Sequence, residues 1–172
     1  MFIKFIKEFS VKKILKSSLH NVTPSILENP IQTIGILTDG NYFENTDQLI
    51  QEFVQNGMDK NKIKTLVFKD KIKKNEVNLF PTFTSKNMNW NGHFDSDYVT
   101  EFINTPFDLL VSYYDFEKTP LLLITHQSKA LFKVGFSSID KRLNHLMINT
   151  TVENYKVFAH ESFRYLKILN KL

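Results

Sequence analysis

Two acids stand where two apolar runs stop. Asp39 ends IQTIGILTD, and Asp115 follows FDLLVSYY. Carboxylates at two neighbouring strand ends could share a Mg²⁺ ion, which takes oxygen ligands and supports phosphoryl transfer. Thr38, Gly40, Tyr113, Tyr114, Ser137 and Ser138 stand beside them, so the strand ends form the default pocket of an open α/β sheet. The plainer reading is that each acid caps a turn. It is favoured because an aspartyl nucleophile normally has a second acid two residues on, and that position is Asn41.

Other catalytic patterns are missing. The first strand is followed by TDGNYFEN, with one glycine and two acids, where a pyrophosphate loop needs several glycines and no negative charge. The five histidines have no ligand spacing, and His126 reads as a core or rim residue. Gly135-Phe136-Ser137-Ser138 is not a nucleophile elbow. There is no cysteine, which removes disulfides and thiolate metal sites. No cofactor, no metal and no catalytic set is expected, and nothing reads as a DNA sequence reader.

Basic surface is the remaining candidate. The net charge is +4, and 20 of the 22 basic residues are lysine, with arginine only at 142 and 164. That permits contact with phosphate without the bidentate geometry that arginine supplies. Three stretches carry the charge. The N-terminus offers Lys4, Lys7, Lys12, Lys13 and Lys16, interleaved with Phe2, Phe5 and Phe9. The run KDKIKK spans 69–74 and reads as a solvated turn. The last helix shows Lys156, His160, Arg164, Lys167 and Lys171 on one face.

The elements that position these residues follow from periodicity. Residues 2–19 are helical, but Phe2, Phe5, Ile6 and Phe9 project to the side opposite Val11, Ile14, Leu15 and Leu19 as two groups. The apolar stripe therefore changes face near Ser10. Either the helix breaks there, or its halves touch different bodies. The lysines interrupt any secretory apolar core. An organellar transit peptide is a lesser alternative. Residues 21–30, with Pro24 and Pro30, read as a connector.

Strands are expected at 31–37, 63–68, 107–113, 130–136 and 146–149, with an edge strand at 77–83 interrupted by Pro81. Helices are expected from Asn45 or Thr46 to Gly57, and from a Ser96 cap to Ile103. A third starts at a Thr119 cap with Pro120 in its first position, and the last spans about 152–169. Leu121 to Ile124 are apolar on every side, so that helix should be deeply buried. Trp90, among asparagines, reads as a turn anchor. Alternating strands and helices imply a Rossmann-like or flavodoxin-like three-layer α/β domain with a mostly parallel sheet, preceded by a basic helix. The division expected is 1–28 for the arm and connector and 29–172 for the domain.

GILTDGNYF, NWNG, FDLLVSYYDFEKTPLLLITHQSKALFKVGFS and YLKILNKL together resemble an uncharacterised family of small proteins from Bacteroidota, over nearly the whole chain. The resemblance implies a cytoplasmic bacterial protein and no activity. FDLLVSYY…KALFKVGF is also similar to a strand-helix-strand of heptosyltransferase-type glycosyltransferases, which need a second domain to bind the sugar nucleotide. The leading expectation is a non-catalytic adaptor. Its basic arm, and the last helix with it, would dock on a larger protein or ribonucleoprotein assembly, RNA included. The alternatives are a small molecule or substrate held by Asp39, Tyr113, Tyr114 and Asp115, and attachment to a membrane surface through Phe2, Ile3, Phe5 and Ile6. Oligomeric state is not legible.

Overall fold

The computed structural model describes residues 2–23 and 29–172. Its centre is a six-stranded, all-parallel sheet. In chain order the strands are β1 (Ile34–Asp39), β2 (Ile63–Phe68), β3 (Thr82–Phe83), β4 (Leu109–Tyr113), β5 (Phe132–Phe136) and β6 (Leu146–Ile148). They lie side by side as β3-β2-β1-β4-β5-β6. The order reverses between β1 and β4, the topological switch point of a doubly wound sheet. The three-layer α/β expectation is therefore met. β1, β4 and β5 are buried along their whole length, which is why each reads as a near-continuous apolar run.

The helices are α1 (Phe2–Ser18), α2 (Thr46–Gln55), α3 (Asp97–Asn104), α4 (Thr119–Gln127) and α5 (Tyr155–Ile168). Successive strand residues point to opposite faces. Ser112 Oγ meets Thr125 of α4 at 3.1 Å, while the ring of Tyr113 lies against Phe158 of α5. So α4 and α5 cover opposite faces. α2 joins α5, with the Phe53 and Phe163 rings 5.2 Å apart, and α3 joins α4. Gly57 ends α2 at φ +98°, a left-handed conformation open to a residue without Cβ, and Met58 N–H reaches back to the Phe53 carbonyl.

α1 adds an outer layer. It lies on α4 through Val11 and Leu15, both 3% exposed. That explains the all-apolar character of α4, which has the sheet on one side and α1 on the other and is buried from Thr119 to Thr125. The helix runs unbroken through Ser10. Its C-terminal end is capped from outside: Arg142 Nη1 donates to the carbonyls of Lys16 and Leu19 at 3.3 and 3.2 Å.

Several local expectations are corrected. The helix after β4 starts at Thr119 itself, with extended Lys118 as the cap residue, so Pro120 is not its first residue. The Thr119 hydroxyl donates to the Glu8 carbonyl of α1 instead of capping its own helix. The strand at 77–83 shrinks to Thr82–Phe83, because Pro81 has no N–H for the ladder. Ser96 occupies the cap of α3 but makes no cap hydrogen bond. In the NWNG turn the organising side chain is Asn89, whose Oδ1 accepts from the N–H groups of Asn91 and His93, while Trp90 is half exposed. The connector expected around Pro24, and the boundary at residue 28, lie outside the described residues.

Candidate functional site

The carboxyl ends of β1 and β4 are where a doubly wound sheet would hold a ligand. A cation of the chain itself occupies that place. Lys118 Nζ sits 2.9 Å from Asp39 Oδ2 and 3.1 Å from Asp70 Oδ2. It also lies over the rings of Tyr42 and Phe68. Burial works against the ammonium, but Asp39 and Asp70 outweigh it and raise its pKa. A lysine held protonated in this way is neither a base nor a nucleophile. Asp39 is 3% exposed, and its Oδ1 accepts from Asn41 N–H at 3.0 Å.

The turn after β1 is closed by the Tyr42 and Phe43 N–H groups on the Asp39 carbonyl. Gly40 cannot lend its backbone to a phosphate, because its N–H is spent on the Phe68 carbonyl. The N-terminus of α2, where a pyrophosphate would sit in a dinucleotide-binding fold, is flanked by Glu44 and Asp47. Both repel phosphate.

The other pocket residues from the sequence are engaged separately. Tyr113 and Tyr114 are at most 1% exposed. Tyr113 Oη donates to the Val152 carbonyl at 2.7 Å, and Tyr114 Oη meets Thr125 Oγ1 at 2.7 Å on the opposite face. Burial pushes both phenols well above their ordinary pKa. Asp115 accepts from Val152 N–H, Ser137 donates to Asn149, and Ser138 donates to the Asp115 carbonyl. Thr38 Oγ1 lies against Thr46 Oγ1 inside the core. Gly40 lines a cavity of about 240 Å³ with Glu44, Asp47 and Lys69. Tyr113 and Asp115 both close on the Val152 backbone, with Ser138 on the Asp115 carbonyl, while Tyr114 turns to the opposite sheet face and Thr38 into the core. Among the described residues no three His, Cys, Asp or Glu side chains cluster as metal ligands.

α1 differs. Its second half is seated through Val11 and Leu15, although Ile14 is 61% exposed, while the large apolar side chains of its first half stay outside the core. Phe2, Ile3, Phe5, Ile6 and Phe9 are exposed to 77, 70, 73, 43 and 66%. The lysines divide the same way. Lys12 and Lys16 are drawn inward, Lys12 to Glu117 at 3.2 Å and Lys16 to both Glu117 and Asp140 at 2.8 Å. Arg142 completes this cluster on Asp140 at 2.7 Å. Lys4 is 3.8 Å from Glu8, Lys7 Nζ is 3.4 Å from the Ser85 carbonyl, and Lys13 is exposed.

Two grooves flank the first turns of α1. One of about 420 Å³ is lined by Phe5, Phe9, Phe68, Phe116 and Pro120, with Lys118 at its floor. The other, about 440 Å³, brings Lys4 together with Lys71, Ile72, Thr84, Ser85 and Lys86. The fold thus places the 69–74 run beside the arm, which sequence reasoning left as an isolated turn. Lys118 was missed as well, since nothing local marks a lysine that will meet an acid 79 positions away. The basic residues of α5 stay apart on the other sheet face, with Arg164 bound to Glu161 at 2.6 Å.

A family model, Family of unknown function (DUF6913), matches residues 7–169. The chain belongs to this family. The DUF6913 match starts inside α1 and runs through α5, so it takes in the sheet, the Lys118 cluster and the seat of α1 on α4. No curated protein and no solved structure matches. Membership of DUF6913 therefore brings a fold-length relationship and no activity.

Proposed function

We propose that this chain is a non-catalytic docking module that attaches to an anionic membrane surface through the outward face of α1. The observation that carries the reading is the five exposed residues Phe2, Ile3, Phe5, Ile6 and Phe9 on a helix already seated by its other half. A contiguous apolar face of this kind on a soluble domain marks an interaction surface. An interfacial helix pairs such a face with flanking lysines, here Lys4, Lys7 and Lys13 with the 69–74 run beside them. A flat occupant suits the geometry, because α1 is open on one side and a protein groove would have to enclose it.

Magnitudes separate this from the ribonucleoprotein reading. Fully burying one Phe or Ile is worth about 1.5–3 kcal/mol. A lysine near an anionic surface adds about 1 kcal/mol. The apolar part should dominate, and binding should survive moderate salt. RNA binding would instead fall steeply with salt as counterions return. It would also have to use Lys12 and Lys16, which are tied to Glu117 and Asp140. No described helix is long and apolar enough to cross a membrane, which suits attachment to one leaflet.

Flotation with phosphatidylcholine vesicles, with and without phosphatidylglycerol, tests the proposal. The full chain should float with the anionic vesicles, and Ile6→Asp with Phe9→Asp should abolish flotation while leaving the melting temperature unchanged. Full-chain protein that stays in the soluble fraction with both vesicles, or that binds RNA in a steeply salt-dependent way, would sink the membrane reading and favour the assembly.

A further inference from the structure

The groove under the first turn of α1 carries a second inference, which does not depend on the apolar face. We infer that it is an anion-binding site for a phosphate group. Its lining comes from three separate segments: Lys4 of α1, Lys71 and Ile72 of the loop after β2, and Thr84, Ser85 and Lys86 after β3. Three lysines thereby line one cavity of about 440 Å³. Lys71 and Lys86 have no carboxylate partner among the described residues, and Lys4 has Glu8 at 3.8 Å. The acid in the lining, Asp70, shares Lys118 with Asp39, at 3.1 and 2.9 Å, so three lysines stand against one partly compensated acid.

The hydroxyls point the same way. Ser85 is 4% exposed, and its Oγ has no hydrogen-bond partner. A buried hydroxyl is ordinarily satisfied, and this one is shut from solvent behind the cavity wall, so it reaches a bound anion only once that wall shifts. Thr84 Oγ1 accepts from Lys86 N–H, which leaves its own O–H free to donate. Three lysines and the Thr84 hydroxyl, set against one partly compensated acid, suit an oxyanion of high charge. Lysines serve phosphate as point charges without demanding a planar partner. The phosphate could belong to a lipid headgroup or to a soluble phosphorylated ligand, since the groove recognises their shared chemistry.

Calorimetry of the full chain with inorganic pyrophosphate tests the site. Binding should appear and should weaken about a hundredfold in Lys71→Ala with Lys86→Ala, each lost charge-assisted contact being worth about tenfold. Lys156→Ala with Lys167→Ala, on α5, should leave it unchanged. Absence of pyrophosphate binding, or binding that Lys71→Ala with Lys86→Ala leaves intact, overturns the inference. The source is separated by competition. Pyrophosphate that releases the protein from phosphatidylglycerol vesicles assigns the site to a headgroup, and binding of pyrophosphate without such release assigns it to a soluble ligand. Because these variants keep Ile6 and Phe9, loss of the anion site is distinguishable from loss of the apolar contact.

Discussion

The carboxyl edge of the sheet and the first half of α1 hold similar residue types in opposite states. At the edge, Asp39 has Lys118, Tyr113 has the Val152 carbonyl, Tyr114 has Thr125 and Asp115 has the Val152 N–H. On α1, six large apolar side chains, Ile14 among them, face water, and in the groove beside them Lys71 and Lys86 have no carboxylate partner among the described residues, although Asp70 lines the same groove. The edge is where the topology would put a ligand. The difference teaches that topology proposes a site, while unsatisfied groups locate one. In this Rossmann-like sheet the switch point is plugged by the chain's own ammonium, Lys118.

The strongest way to sharpen the comparison is to cut α1 on each side. Leu15 is 3% exposed against α4, and Leu15→Ala should cost about 3 kcal/mol, the usual range for a buried leucine. Ile6 projects outward at 43% exposure, and Ile6→Ala should stay within about 0.5 kcal/mol. Urea denaturation of both variants gives the answer. Equal losses would mean that the first half of α1 is also part of the core, and the outward face would lose its special status.

A smaller effect should come from acid. Glu117 is partly buried, which opposes its charge, but Lys16 and Lys12 outweigh this and lower its pKa. Arg142, with Lys16 also contributing, lowers that of Asp140. Carboxylates with depressed folded pKa values bind fewer protons than the unfolded chain does. Their stabilisation is complete above the unfolded values near 4 and is lost as pH falls through the folded ones. The seat of α1 should therefore loosen below about pH 4. Glu117→Gln with Asp140→Asn should be less stable than wild type at neutral pH and show a flatter acid limb. Parallel acid limbs would show that this cluster does not hold α1 in place.

How much of this was legible depends on how local the cause is. FDLLVSYY and ALFKVGF read as buried strands because both faces of β4 and β5 are covered, so the runs are nearly continuous apolar, broken inside the strands only by the buried Ser112 and Lys133. The change of face at Ser10 was legible for Val11, Leu15 and Leu19, because helical spacing records which side each residue takes, whereas Ile14, grouped with them, is 61% exposed. β3 was overextended, since two paired residues leave almost no pattern. The Lys118 cluster and the Lys4, Lys71 and Lys86 groove were illegible for a different reason. Each joins segments tens of residues apart, and a solvated lysine and a converging one look alike in a sequence. Tyr113 and Tyr114 misled in the converse way: their position at a strand end suggested a pocket, and their burial on opposite faces makes them core.

That last point allows the gentlest test. Tyr114→Phe removes a hydroxyl that meets Thr125 Oγ1 at 2.7 Å and the Leu121 carbonyl at 3.4 Å. Thr125 keeps Ser112 at 3.1 Å, so no buried donor is stranded, and the ring still fills its space. The loss should be about 1 kcal/mol, the net value of one buried hydrogen bond. Thermal melting measures it, while vesicle flotation and pyrophosphate binding should not move. A change in either binding readout beyond what the lost stability explains would return the carboxyl edge to consideration, because a core hydroxyl far from α1's outward face has no other route to it.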